Sequence, residues 1–337
     1  MAKGPGTVGR KGRETPPAYG PVIKRPPRSR GGGGGAGIGR GMLPESKQPR
    51  PDVEWYENDQ RPVKVSDRVY APQTGPHAET YKTALNKMDE VHGVKASQNP
   101  TQVRAENRPG SGVLGFHQGT SFVETEPGPD QGKVRELSNV TLNTGYHKDN
   151  EPAKRATLYH EFGHANDRQQ NFEEKVIPNT RADDQYYKRK YDSENAFRKV
   201  QKSGNLEPER GDTPTVQWAK SVQRSKSFKA LEAKKEKAKK DGTNRNLIEH
   251  LEYLTDPKEV YARSYAQHIA RNADPAVEKH WRDDYKKKDA DHKKFIGYDQ
   301  WRGKDFDSID DSFNRIYGSR GLDVHNMSHD PRVPVEV

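Results

Sequence analysis

The chain has 337 residues and a net charge of +10, and only 29% of its residues are hydrophobic, against roughly 45–50% apolar residues, glycine included, in a typical globular protein. It contains no cysteine, which excludes disulfides and thiolate metal sites, so any transition-metal site must be built from imidazole and carboxylate. No stretch approaches the roughly 20 apolar residues of a membrane helix. The basic start MAKGPGTVGRKGRE leads into no apolar run of signal-peptide length, so the expectation is a soluble chain with no membrane partner.

The positive charge is concentrated at one end. Residues 1–50 hold eleven Lys and Arg against two acids, Glu14 and Glu45, and they include the glycine run Gly31–Gly35 and many prolines. Such a composition cannot bury enough apolar surface to fold. It reads as a disordered basic tail, suited to contacting nucleic acid or an acidic partner by counterion release or to keeping the protein in solution. Residues 51–110 read as an N-terminal extension, partly helical. Within it Glu79–Val91 places Tyr81, Leu85 and Met88 at helical spacing.

Two segments rich in β-branched and aromatic residues follow, Gly112–Glu124 and Val134–Thr144, separated by the breaker-rich stretch Glu126–Gly132. They read as two strands joined by a loop. A helix is expected to begin near Asn150, with Asn150 as N-cap, Glu151 at the positive end of the helix dipole and Pro152 in the first turn. Leu158, Phe162 and Ala165 mark its buried stripe.

From about 181 to 245 the chain is polar and lysine-rich, and the run ALEAKKEKAKKDG reads as a solvated helix. A second strong helix is expected from Pro257 to about Arg271, capped by Asp256. Short helical patterns with alternating acidic and aromatic residues then continue to Tyr317, and residues 323–337 read as a frayed end.

His160-Glu161-Phe162-Gly163-His164 is an H-E-x-x-H motif on the helix that follows the two strands. Residues four apart lie one above the other on a helix, so both imidazoles can reach one tetrahedral metal ion. Glu161 is placed to take a proton from a water that the metal acidifies. Chance matches to the motif amount to about 0.03 per chain of this composition, which favours a metal site over two solvated histidines. A catalytic zinc needs a third protein ligand and an open position. The extended motif would require histidine six residues past His164, but Gln170 stands there and Asp167 occupies the glycine position.

Glu259 is the better third ligand. It shares a helix face with Ala262, Arg263, Ala266 and Ala270, and small residues would let that helix pack closely on the motif helix. The plainer role for Glu259 is an acid stabilising the start of its own helix. Asp167 is the second choice of ligand, with a supporting role more expected of it: orienting an imidazole or capping local structure. Arg263, Tyr265, Tyr253 and His268 are candidates to stabilise a developing oxyanion, with Arg263 and Tyr265 preferred. His117 and His147 read as ordinary strand or loop histidines.

HEFGHAND followed by EVYARSYAQHI resembles the glutamate-ligand zincins, the gluzincin group that includes lethal-factor-like toxin peptidases. With the later stretch WRGKDFDSIDDSFNRIYGSRGL, the pattern is similar to metallopeptidase domains of phage, mobile elements and polymorphic toxins. The likeness covers about Val113–Leu322 and is most specific at HEFGH. The 94 residues between His164 and Glu259 depart from the short thermolysin-type spacing.

The resemblance implies an α+β zincin-like fold over 111–322, a small mixed sheet on the motif helix with a mostly helical C-terminal part and a Lys-rich insert. It implies Zn2+ on His160, His164 and Glu259, and Glu161 as base in hydrolysis of a protein or peptide substrate. It also implies substrate binding along an edge strand, here expected at Val140, Thr141, Leu142 and Asn143. The setting so implied is cytoplasmic, virion-associated or delivered without a classical signal peptide. The alternative is a non-catalytic, phage-related structural or nucleic-acid-binding protein with a vestigial metal site.

Overall fold

A computed structural model describes residues 64–92, 101–108, 113–123, 134–147, 149–169, 191–242, 244–295 and 299–317. The basic tail, the expected C-terminal fray and the start of the Lys-rich segment lie outside these residues.

The element order is β1 (Val69–Tyr70), α1 (Ala78–His92), β2 (Thr101–Glu106), β3 (Gly115–Val123), β4 (Val134–Asn143), the single turn α2 (Thr144–His147) and α3 (Glu151–Gln169). Then come α4 (Asp192–Ser203), α5 (Pro214–Arg224), α6 (Lys226–Lys240), α7 (Arg245–Thr255), α8 (Pro257–Ala273), α9 (Pro275–Lys287), α10 (Ala290–Phe295) and α11 (Asp307–Tyr317). The fold is α+β, with a small mixed sheet and mostly helical content.

The four strands lie in the order β1-β2-β4-β3. β2 runs parallel to β1 and β4, with Val103 opposite Val140, and β3 runs antiparallel to β4, with His117 opposite Val140. β4 is therefore an interior strand. This corrects the expected substrate edge: Val140, Thr141, Leu142 and Asn143 are all buried, the first three are paired on both sides, and Asn143 pairs with β2. The cause is β2, a strand the sequence reading did not recognise in TQVRAE. It occupies the side of β4 expected to be free, and β3 becomes the terminal strand among the described residues. Asn143 survives inside the sheet because its amide is fully used. Nδ2 donates to the carbonyls of Arg108 and Val113, and Oδ1 accepts from the N–H groups of Arg108 and Gly145.

β1 and β2 belong to this sheet and α1 to the main core, so these elements pack together with those that follow residue 111. Tyr81, Met88 and Val91 of α1 pack in one core with Val140, Leu142, Leu158 and Phe162. The polar stretch is also more deeply built in than its composition suggests. Phe197 of α4, Trp218 and Val222 of α5 and Phe228 of α6 belong to that same core. Four or five apolar residues at helical spacing suffice to seat a helix, whatever the charge of its outer face. The solvated-helix reading fits the rest of α6, whose remaining buried residues are Leu231 and Ala238. These join Leu251 and Leu254 of α7 in a second, smaller core.

No helix among the described residues is long and apolar enough to cross a membrane.

Candidate metal centre

α3 begins as its sequence dictates, with Asn150 Oδ1 accepting from the N–H of Ala153 at 3.1 Å. Leu158, Phe162 and Ala165 are buried, which fixes the rotation of the helix and turns His160 and His164 to another face. α3 touches β3 and β4 and pairs closely with α8.

Two glycines permit these approaches. A Cβ on Gly163 would lie 2.7 Å from Ala262 Cα and 3.1 Å from Ala262 O, while one on Gly115 would lie 2.6 Å from Thr157 Cγ2 and 2.9 Å from Thr141 O. Contacts this short do not occur between real side chains. Gly163 sets the separation of α3 and α8, and Gly115 lets β3 start hard against Glu161, whose Cγ is 3.2 Å from that same point. α8 starts where expected, with Asp256 accepting from the N–H of Lys258 and Pro257 in the first turn.

The close pairing brings Glu259 to the motif. Its Oε2 lies 3.3 Å from His160 Nε2 and 3.4 Å from His164 Nε2, and the two imidazoles stand edge to face with centroids 4.9 Å apart. Among the described residues these three form the one group of His, Asp and Glu side chains whose ligand atoms approach closely enough to share a cation, all within 4.8 Å.

Tetrahedral bonds of about 2.0–2.2 Å put neighbouring ligand atoms about 3.3–3.6 Å apart, and both measured separations fall on that edge length. Glu259 Oε2 is also buried, with the two imidazoles offsetting its charge in the metal-free protein. The donor set therefore fits a divalent metal that prefers nitrogen and oxygen ligands. Side-chain exposures of 18, 12 and 20% for His160, His164 and Glu259 leave a face open to a reactant.

The electrostatics agree. Burial would push the Glu259 carboxyl up, but His164 and His160 overcome it and hold its pKa well below the ordinary range. Burial would lower His164, but the carboxylates of Glu259, Glu161 and Asp167 raise it to about 9. Glu161 is 6% exposed. Burial raises its pKa against the pull of the two histidines, and it accepts a hydrogen bond from the backbone N–H of His117 on β3.

Comparison with known proteins finds no matching family model, no matching curated protein and no matching solved structure.

Of the four residues expected to face an oxyanion, Tyr253 alone stands at the cluster. Its hydroxyl is 3.4 Å from His160 Nε2 and is bonded to Glu259, and burial followed by the Glu259 charge drives its pKa far up. Tyr265 points the other way, pairing with His92 Nε2 at 2.7 Å and packing on Phe313 and Tyr317. His268 is bonded to Asp310 at 2.6 Å and stacked on Phe313. Arg263 donates to the carbonyls of Leu254 and Asp299. The preferred candidates Arg263 and Tyr265 are thereby corrected: Tyr265, six residues after Glu259, falls about 120° round the helix from it, whereas Arg263 lies on the Glu259 face but spends its guanidinium on the carbonyls of Leu254 and Asp299.

Asp167 is fully buried and accepts from the N–H of Ser193 at 2.8 Å and from its Oγ at 2.5 Å. It thus ties the end of α3 to the first turn of α4, a contact with a residue 26 positions away. His117 and His147 make ordinary contacts, to Ser138 Oγ and to Leu114 O and Thr157 Oγ1 respectively.

What sequence reasoning missed is that the strand expected over Gly112–Glu124 offers the backbone N–H of His117 to Glu161. It also passed over Tyr253 in favour of Arg263 and Tyr265. The break at Asp256-Pro257 was the available clue, because it turns α7 back across the start of α8.

Proposed function

We propose that this protein is a zinc-dependent endopeptidase of the glutamate-ligand type, with His160, His164 and Glu259 holding the metal. The observation that carries the reading is the convergence of Glu259 Oε2 on both imidazoles at tetrahedral edge distances, with Glu161 buried beside them. Two imidazoles and a carboxylate suit zinc among the common metals. Zinc bound there polarises a carbonyl and acidifies water.

The chain's own residues supply the rest. Glu161, kept basic enough by burial, receives the proton of the attacking water and passes it to the leaving amine. Tyr253, kept protonated by burial, donates a hydrogen bond to the oxygen that gains charge in the transition state. β3 runs beside Glu161 as the terminal strand among the described residues, and an extended peptide laid along it would gain backbone hydrogen bonds. The N–H of His117, already bonded to Glu161, keeps that strand in register with the base.

The test combines metal analysis and digestion of a mixed peptide library. Wild type should carry about one zinc per chain, His160→Ala should carry none, and Glu161→Gln should keep zinc while losing about 10²–10⁴-fold in activity. No metal uptake, or full activity in Glu161→Gln, overturns the reading and leaves the non-catalytic alternative.

A further inference from the structure

Tyr253 sits on an element that the main core does not hold. The hairpin α6–α7 packs on its own small core of Leu231, Ala238, Leu251 and Leu254, with Tyr253 against it. Phe228 near the start of α6 packs in the main core, and side-chain hydrogen bonds at both ends seat the base of the hairpin on the body. At the start of α6, Asp305 accepts from the N–H groups of Lys226 and Ser227 at 2.8 Å each. At the end of α7, the Arg263 guanidinium donates to Leu254 O, the residue after Tyr253, and also to Asp299 O.

The loop at 299–301 is itself pinned to α8. Gln267 Nε2 donates to Trp301 O at 2.7 Å and Gln267 Oε1 accepts from Trp301 N at 3.0 Å. The Trp301 indole N–H donates to Ser225 Oγ at the head of α6, and Arg263 lies over its ring at 5.3 Å.

Arg263 is 5% exposed, its recorded hydrogen bonds go to carbonyls, and its Nε has no partner. A guanidinium buried in this way is costly, and an apolar residue of similar volume would fill the space at less cost. Its planar fork, however, reaches two carbonyls from different segments at once, which a lysine cannot reproduce.

We propose that Arg263 is a positioning residue: it clamps the C-terminal end of α7 to α8 and the 299–301 loop, and so holds the Tyr253 hydroxyl against His160 and Glu259. The kinetic side of this rests on the peptidase reading. The clamp itself does not.

Hydrogen–deuterium exchange on the full chain tests the clamp without any activity. In Arg263→Lys, amides of residues 245–255 should exchange at least tenfold faster while those of α1, α3 and β4 keep their protection. Gln267→Met, which unseats the loop and leaves the Arg263 charge intact, should give the same local signature more weakly and serves if Arg263→Lys does not fold. Unchanged exchange in α7, or a uniform rise across the chain, overturns the proposal.

In kinetics, Arg263→Lys should lower kcat at least tenfold with KM and zinc content unchanged, and should add nothing in a Tyr253→Phe background. An equal loss in that background also overturns it. Absence of zinc and of hydrolysis in wild type would sink the peptidase reading alone, with the exchange result still deciding the clamp.

Discussion

Replacing Gly163 by alanine sets two effects of known size against each other. In a helix interior the change gains about 1 kcal/mol from propensity, and on an exposed face that would be the whole result. Here the new Cβ would stand 2.7 Å from Ala262 Cα, 3.1 Å from its O and 3.2 Å from its Cβ. Two of those atoms are backbone, so no rotamer change relieves them. Restoring ordinary contact near 3.5–4.0 Å requires α8 to move about 1 Å from α3. Overpacking of this kind costs about 1–3 kcal/mol, so after the propensity gain the net expectation is destabilisation of up to about 2 kcal/mol in a urea titration.

The same shift carries Glu259, one turn before Ala262, away from His160 and His164, and zinc affinity should fall about tenfold or more. Adding Ala262→Gly should not rescue either property, because the Cα and O contacts remain. A Gly163→Ala protein more stable than wild type, with unchanged zinc affinity, would refute the claim that this glycine sets the distance across the site.

Two further expectations concern charge. Asp274 is 4% exposed and accepts from Arg155 Nε at 2.6 Å and Tyr159 Oη at 2.9 Å. Burial pushes its pKa up, but those bonds overcome it and hold the pKa below the ordinary value. A depressed carboxylate stabilises the fold above its unfolded pKa of about 3.9, and that stability is lost as pH falls through the folded value. Asp274→Asn should therefore cost about 3–5 kcal/mol near pH 7, with the difference from wild type shrinking below about pH 4. A pH-independent difference would refute the pairing.

At the metal centre, His164 titrates near 9 in the metal-free protein, so it is protonated at neutral pH and must lose its proton to bind a cation. Zinc binding between pH 7 and 9 should release a proton, visible as a buffer-dependent enthalpy in calorimetry, and affinity should rise with pH up to about 9. Affinity that is flat across that window would refute the assignment.

The sequence by itself determined the local elements and half of the site. The caps at Asn150 and Asp256, the stripe Leu158–Phe162–Ala165 and the strands that became β3 and β4 are encoded within a few residues of where they act. So is the placement of His160 and His164 one above the other on a single helix. Glu259 was legible through its small neighbours, and Gly163 against Ala262 is the contact those neighbours serve.

What only the tertiary structure decided concerns partners distant in the chain. TQVRAE is too short and polar to declare itself a strand, yet by pairing with β4 it made β3 the terminal strand and moved the expected substrate edge. Nothing near Tyr253 distinguishes it from Tyr265, which lies on the same helix as Glu259 and was preferred. The turn at Asp256-Pro257 and the reach of Arg263 decide between them. Pairing order and helix direction arise from contacts among residues tens of positions apart, and one sequence carries no local pattern for such contacts.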